Sequence, residues 1–371
     1  MKILSVVGAR PQFVKAAVLL KAFDEYNHAA HSPIEHHLLH TGQHHDAGLS
    51  DIFFEQLQLP QPDVSLGIGS GKHGIQTAAM MASIEACLES WRPDLMVVYG
   101  DTNSTLAGAL AASKMHIPIA HLEAGLRSFD RSMPEEINRI ISDHIGDLLL
   151  CPTLTAMDNL QHEGLGSRSA MVGDVMLDAV HLYGARLENS TLRRLGVRPK
   201  SFALVTLHRA GNTDDPARLK EFVELLKRLP LDAVVPMHPR LERCLGPCVC
   251  QELQQHRHIH LIPPVGYFEM LTLERDARLI LTDSGGVQKE AYFVGVPCLT
   301  LREETEWVET VHDGWNRVVG LDVERILGIV ASLNAGNGAT PGKPRNLASF
   351  GNGYAGHASV AAIMKFGAEK L

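Results

Sequence analysis

An α/β fold of two doubly wound domains, with a cleft between them, is predicted by three observations. Short apolar runs alternate with helix-periodic stretches along the chain, which is the signature of parallel sheets covered on both faces. The alternation pauses in a polar segment near 173–200 and then restarts. The length, 371 residues, exceeds what one hydrophobic core ordinarily serves.

The runs Lys2–Val7, Glu35–His40, Leu95–Val98, Ile117–His121, Leu148–Cys151 and Ala170–Val172 read as strands of the first domain. Phe13–Phe23, Thr105–Lys114, Glu135–Ile145 and Thr155–His162 read as helices between them. In Leu106–Lys114 leucines fall at i and i+4 with alanines filling the stripe, as a helix lying tight on a sheet requires. Val175–Asn189 reads as a long helix leading into the hinge, and Arg193–Lys200 is polar with a Gly and a Pro. Phe202–Thr206, Ala233–Met237, Ile259–Ile262, Leu279–Thr282, Pro297–Leu301 and Arg317–Val319 are the strands of the second domain. The segment 334–356, rich in Gly, Asn and Pro, reads as a crossing loop. Ser359–Phe366 is a last helix with Ser359 as N-cap. The division expected is 1–174 for a first Rossmann-like domain and 175–353 for a second. Residues 354–371 form a terminal helix packed back on the first.

Composition narrows the function. Net charge is −8 without a basic run, which argues against a nucleic-acid partner. The opening MKILSVVGARPQF has an apolar run of only about six residues, short of the ~7–15 of a signal-peptide core. No run approaches the ~18 residues of a membrane span. Six cysteines do not make a disulfide scaffold, so reduced thiols and a cytoplasmic protein are expected. Cys244, Cys248 and Cys250 lack paired C-x-x-C zinc spacing. The histidines from His28 to His45, among them His28, His31, His36, His37 and His44, show no i,i+4 ligand pattern around a carboxylate. No metal is expected.

Chemistry concentrates at strand ends. Tyr99–Arg139 contains Y-G-D-T-N-S-T, H-L-E-A-G-L-R and M-P-E-E-I-N-R. Asp101, Glu123 and Glu135 each lie where a strand or loop hands over to a helix or Gly turn, outside the carboxyl ends of strands. Singly, each reads equally as a helix cap or dipole partner; three together suit proton transfer. Of Glu135 and Glu136 only one can face the cleft; Glu135 is assigned there and Glu136 to neighbouring bases. Gly8-Ala9-Arg10-Pro11 opens a helix and aims Arg10 into the crevice, with Lys15 in support. It lacks G-x-G-x-x-G, which argues against NAD. Asp283-Ser284-Gly285-Gly286 follows a strand and opens a helix whose N-terminal N–H groups suit phosphate. Glu290 suits a neutral diol such as ribose, so the pair indicates a nucleotide. His208 and Arg209 follow the first strand of the second domain, and His238 follows the next.

These motifs occur in order with G-A-R-P-Q and T-L-H-R over about 300 residues. The chain resembles the non-hydrolysing UDP-N-acetylglucosamine 2-epimerases, which have the glycosyltransferase-B architecture. H-T-G-Q-H at 40–44, F-F-E-Q-L at 53–57 and T-E-W-V-E at 305–309 resemble most the subgroup acting on UDP-2,3-diacetamido-2,3-dideoxyglucuronate, which makes precursors of bacterial surface polysaccharides such as O-antigen. The resemblance implies elimination of UDP to a glycal and its re-addition. It assigns catalysis to Asp101, Glu123, Glu135 and His208. It assigns UDP and substrate binding to Arg10, Lys15, Arg209, His238, Ser284, Gly285, Gly286, Glu290 and Glu306. No cofactor is implied, and a homodimer is favoured.

Four residues in three places depart from the family pattern. Gly211 stands where many members have glutamate. Trp307-Val308 replaces the R-P of T-E-R-P-E, and Val265 replaces a common glutamine. The last two weaken the case for UDP-N-acetylglucosamine as substrate and for its regulatory second site. Alternative readings are a UDP-N-acetylglucosamine 2-epimerase, a hydrolysing relative, a glycosyltransferase on the same fold, and a UDP-sugar-binding protein without chemistry.

Overall fold

A computed structural model describes residues 1–30, 32–43, 47–188, 190–334 and 343–370. The chain divides into two compact units, 1–182 with 347–371, and 183–346.

The first unit contains β1 (Lys2–Val7), α1 (Arg10–Ala29), β2 (Glu35–His40), α2 (Ala47–Leu57), β3 (Val64–Ser65), α3 (His73–Trp91), β4 (Leu95–Tyr99) and α4 (Asn103–Lys114). It continues with β5 (Ile119–Leu122), α5 (Pro134–Ile145), β6 (Leu148–Cys151), α6 (Leu154–His162), β7 (Ser169–Met171) and most of α7 (Val175–Gly184). Its sheet is parallel throughout, in the order β3-β2-β1-β4-β5-β6-β7. Val6 pairs with Leu39 on one side and with Val98 on the other, so β1 and β4 form the centre. Strands covered on both faces have no polar side to keep, which is why β4 is buried at every position.

The second unit contains α8 (Ser190–Leu195), β8 (Phe202–Thr206), α9 (Ala210–Thr213), α10 (Pro216–Arg228), β9 (Asp232–Pro236), α11 (Pro239–Gln254), β10 (Ile259–Ile262) and α12 (Tyr267–Asp276). It continues with β11 (Leu279–Thr282), α13 (Gly285–Val294), β12 (Cys298–Thr300), α14 (Val308–His312), β13 (Asn316–Val318) and α15 (Val323–Asn334). Its sheet runs β10-β9-β8-β11-β12-β13, again parallel. Phe222, Leu225 and Leu226 of α10 pack with Val205 and Leu281 in one core; Phe202, Leu204 and Ile280 form the other with Ala291 of α13.

The expected strands are present to within two residues, and the α/β class is as expected. Several local expectations are corrected. The long helix expected over 175–189 ends at Gly184, and part of the polar segment after it forms α8. Ser359 is not an N-cap. The last helix, α16 (Ala355–Lys370), starts a turn earlier because Asp178 accepts from the Gly356 N–H at 2.8 Å, satisfying the helix end from outside. Ser359 donates back to the Ala355 carbonyl at 2.7 Å. The α16 helix packs on α1. Of the crossing segment, 335–342 lies outside the described residues, as do His31 and His44. Met80, Ile84 and Leu88 bury one stripe of α3, a helix the sequence reading did not place.

Between β1 and α1 the chain passes so close to its neighbours that a Cβ on Gly8 would lie 2.1 Å from both the Ser104 and Thr41 hydroxyls. Those hydroxyls bond each other at 2.8 Å, so neither yields freely. Gly8→Ala is expected to lower stability by about 1–3 kcal/mol, read as an earlier urea midpoint; an unchanged midpoint contradicts this packing.

Candidate functional site

In each sheet the strand order reverses at the centre, between β1 and β4 in the first domain and between β8 and β11 in the second. Loops leaving adjacent strands there turn to opposite faces and open a crevice at the carboxyl ends. Arg10 and Asp101 lie at the first of these places and His208, Arg209 and Ser284–Gly286 at the second; Glu123 follows β5, Glu135 opens α5, His238 follows β9 and Glu306 follows β12.

In the first domain the crevice is stapled by Gln12. Its Oε1 accepts from the N–H groups of Gly8 and Ala9 at 2.7 and 3.0 Å. Its Nε2 donates to the Tyr99 carbonyl at 2.7 Å and to Thr105 Oγ1 at 3.0 Å. The loop after β1 is thus tied to the end of β4. Arg10, half-buried, begins α1 beside it.

Asp101 follows β4. It does not cap α4, because Thr102 takes that position and accepts from the Thr105 N–H at 3.3 Å. The Asp101 carboxylate stays partly exposed and accepts from Arg139 Nη2 at 2.6 Å. Asn138 donates to its backbone carbonyl at 2.9 Å.

Glu123 follows β5 with φ +70°, a left-handed conformation that costs a non-glycine residue free energy. Its N–H and that of Ala124 both donate to the Leu150 carbonyl at 3.0 Å. Its buried carboxylate forms an ion pair with buried Lys15. Lys15, expected beside Arg10 in nucleotide binding, therefore lies with the acids. Glu135 occupies the first turn of α5, half-buried. Glu136 is committed elsewhere: it accepts from the N–H groups of Ser128 and Phe129, both at 3.0 Å, and from Arg139 Nη1 at 2.8 Å. Arg139 thereby joins Glu136 to Asp101.

In the second domain the organiser is Asp283, at the end of β11 and fully buried. Its carboxylate accepts from the N–H groups of His208 and Arg209 and from Asn212 Nδ2, at 2.9–3.1 Å. His208 Nδ1 lies 3.2 Å from the same carboxylate. His238 caps α11, its Nδ1 accepting from the Arg240 N–H at 3.1 Å, so its other nitrogen carries the proton. The His208 and His238 rings lie 5.3 Å apart, centroid to centroid.

Ser284 caps α13, and Gly285 and Gly286 open it. A Cβ on Gly285 would meet the Glu306 carboxylate at 2.3 Å. Glu306 is buried there in an ion pair with Arg302 at 2.9 Å. Glu290 is buried one turn on. Behind it, α12 packs on α13 and carries Tyr267 and Glu274. Burial first, and the Glu290 charge second, push the Glu274 carboxyl well above its usual range. Burial likewise raises the Tyr267 phenol, with Glu290 and Glu274 adding to it. A Cβ on exposed Gly211 meets nothing within 4 Å, so packing does not exclude a side chain there.

Asp283, Gln12 and Arg139 lay inside motifs singled out from the sequence, yet their roles are those of organisers. Composition marks the string; only the fold shows which member faces inward. Cys151 and Cys298 have thiols raised by burial, which keeps them protonated. Cys244 and Cys248 are exposed and Cys250 is half-exposed on α11, and all six cysteines are free. Among the described residues no helix is long and apolar enough to cross a membrane.

Residues 27–364 match the family model described as UDP-N-acetylglucosamine 2-epimerase. The chain is 49% identical over 327 residues to UDP-2,3-diacetamido-2,3-dideoxy-D-glucuronate 2-epimerase of Pseudomonas aeruginosa, covering 86% of this chain and 88% of the relative. It is 42% identical over 380 residues to UDP-N-acetylglucosamine 2-epimerase of Methanocaldococcus jannaschii, covering 99% and 100%. A crystal structure of the enzyme from that organism, in complex with UDP-GlcNAc and UDP, superposes with a TM-score of 0.89 over 98% of this chain and all of the other, at 41% identity. The fold is the two-domain glycosyltransferase-B architecture expected from the sequence.

A group that keeps its proton when folded and loses it when unfolded costs stability as pH rises above its ordinary value, 4.5 for Glu274. Glu274→Gln removes that cost. Its stability advantage over the parent is expected to grow from about pH 5 to pH 8, by up to about 1.4 kcal/mol per unit. Thermal unfolding at several pH values checks this; a constant difference contradicts it.

Proposed function

Because the chain belongs to the UDP-N-acetylglucosamine 2-epimerase family and is a UDP-sugar 2-epimerase, an isomerase, we propose that it inverts C2 of UDP-2,3-diacetamido-2,3-dideoxyglucuronate to the manno epimer. The observation carrying the substrate choice is the 49% identity to the Pseudomonas aeruginosa enzyme of that name. Trp307, in place of the arginine of T-E-R-P-E, supports it. Trp307 is buried, and Lys289 Nζ lies 4.3 Å from its ring centroid, so the substitution is built into the core beside Gly285.

The chemistry follows from the sugar. C2 bears no adjacent carbonyl, so its proton becomes removable only as the C1–O bond breaks and positive charge grows at C1. One carboxylate takes the C2 proton while UDP departs with the C1–O electrons, leaving a glycal. A proton then returns to the opposite face of C2 as UDP re-adds to C1. Asp101, Glu123 and Glu135 are the proposed proton-transfer groups. Asp101 is held by Arg139 and Glu123 by Lys15, so each carboxylate has a cation against it. His208, oriented by Asp283, and the N–H groups opening α13 serve the departing diphosphate. Arg10, Arg209 and His238 complete that binding, and Glu290 takes the ribose hydroxyls. Glu306, buried against Arg302 and Gly285, shapes the α13 N-terminus rather than meeting phosphate directly. The reaction consumes no cofactor. A homodimeric cytoplasmic enzyme supplying surface polysaccharide synthesis, including O-antigen, completes the proposal.

UDP-N-acetylglucosamine is the second substrate reading, favoured by the 42% identity to the Methanocaldococcus jannaschii enzyme across nearly the whole chain. Initial rates with both nucleotide sugars separate the two. The diacetamidoglucuronate should show the higher kcat/KM by at least about tenfold; a preference for UDP-N-acetylglucosamine overturns the substrate assignment. Asp101→Asn and Glu123→Gln should each cut kcat by about 10²–10⁴ while UDP still binds in calorimetry. Unaltered turnover in both removes these acids from the mechanism.

A further inference from the structure

His121, on β5, is absent from every role assigned above, and both of its ring nitrogens are engaged. The ring is fully buried. Its Nε2 lies 2.7 Å from the Gly100 carbonyl oxygen, which can only accept. Its Nδ1 lies 2.7 Å from Asp143 Oδ1. The other oxygen, Asp143 Oδ2, already accepts from Arg127 Nη1 at 2.7 Å and from the Gly125 N–H at 3.1 Å. A carboxylate with an arginine on one side is an acceptor on the other. Both ring nitrogens therefore face acceptors, and each must donate.

The ring belongs to a wider cluster of charged groups. Asp143 and Glu163 are the anions of this cluster and Arg127 is a cation, pairing with Glu163 through Nη2 at 2.7 Å. His144 Nε2 approaches Glu163 at 3.3 Å, so Glu163 has partners of its own, and the carboxylate that faces the His121 ring is that of Asp143. Burial alone would raise the Asp143 carboxyl, but the His121 charge and hydrogen bond, with Arg127, outweigh it and hold that carboxyl below the usual range.

The location gives this cation its consequence. The Gly100 peptide that it holds leads directly into Asp101. A Cβ on Gly100 would lie 3.0 Å from Lys15 Nζ and 3.1 Å from Glu123 Oε2, so the Lys15–Glu123 pair rests against the same residue. We propose that His121 is held as an imidazolium and acts as a positioning residue of the epimerase site, fixing the Gly100 turn and placing a buried positive charge beside the Asp101 and Glu123 carboxylates. The role rests on the reading of those two acids as the proton-transfer groups. The charged neighbours that share the field are Asp143 and His144 from α5, Arg127, Glu163 at the end of α6, Lys15 from α1 and Arg139 from α5.

Two measurements test it. The first is ¹⁵N NMR of the full-length protein labelled in the histidine rings, with the His121 resonances identified by their loss in His121→Gln. Both nitrogens should carry protons from about pH 6 to about pH 8. A nitrogen without a proton at the upper end overturns the imidazolium, whatever the enzyme's activity. The second is the pH profile of kcat. Glutamine can donate to only one of the two acceptors and carries no charge, so the carboxylates near it should hold their protons more tightly. The acidic limb should move up by about one pH unit, with UDP affinity within about twofold of the parent. A lower kcat with an unmoved limb overturns the positioning role and leaves a scaffold residue. If Asp101→Asn and Glu123→Gln both remain active while both ring nitrogens are protonated, the reading of the acids falls and the imidazolium stands.

Discussion

The reversal of strand order at the centre of each sheet is the constraint from which the rest of the molecule follows. A parallel sheet offers its loops at one edge, and only where the order reverses do neighbouring loops part enough to admit a ligand. In the first domain the reversal brings together Gly8–Arg10 after β1, Gly100–Asp101 after β4 and Glu123 after β5. In the second it brings together His208–Arg209 after β8 and Asp283–Gly286 after β11. A parted pair of loops has unsatisfied N–H groups, and each domain meets that need with one buried polar side chain. Gln12 reaches from α1 to the N–H groups of Gly8 and Ala9. Asp283 reaches from β11 to those of His208 and Arg209. The first staple reaches across to the end of β4, and the second also takes the Asn212 side chain.

Electrostatics in the first domain are arranged in pairs. Asp101 has Arg139, Glu123 has Lys15 and Asp143 has both Arg127 and His121. Removing a carboxylate from water is costly unless a cation or hydrogen-bond donor replaces it. The pairing gives each of these carboxylates a positive partner in place of the water that burial removes. Across α12 and α13 the arrangement is the opposite: burial first, and the neighbouring Glu290 charge second, push the Glu274 carboxyl well above its usual range, so it keeps its proton. Burial with a partner keeps an acid charged, and burial without one neutralises it.

Much of this was legible in the sequence, because the strands are short apolar runs bounded by Gly and polar turns. The strand-end motifs also put Asp101 after β4, Glu123 after β5 and Ser284–Gly286 between β11 and α13, where the structure has them. What was not legible depends on contacts far apart in the chain. Asp101 reads as a helix cap until Thr102 is seen to hold that place. Ser359 reads as a cap until Asp178 is found to satisfy Gly356 from outside the helix. Lys15 sits near Arg10 in sequence, but its position on α1 turns it toward Glu123. The His121–Asp143–Arg127–Glu163 cluster joins residues from β5, α5, a loop and α6, and no local pattern encodes it.

The central claim is that one set of carboxylates exchanges the C2 proton while UDP departs and returns. Proton NMR in D₂O of the parent enzyme with UDP-2,3-diacetamidoglucuronate, and in parallel with UDP-N-acetylglucosamine, tests it most directly. The C2 proton signal should be lost as the manno epimer grows. A C2 proton that persists with both compounds, in a protein that still binds UDP, would contradict it.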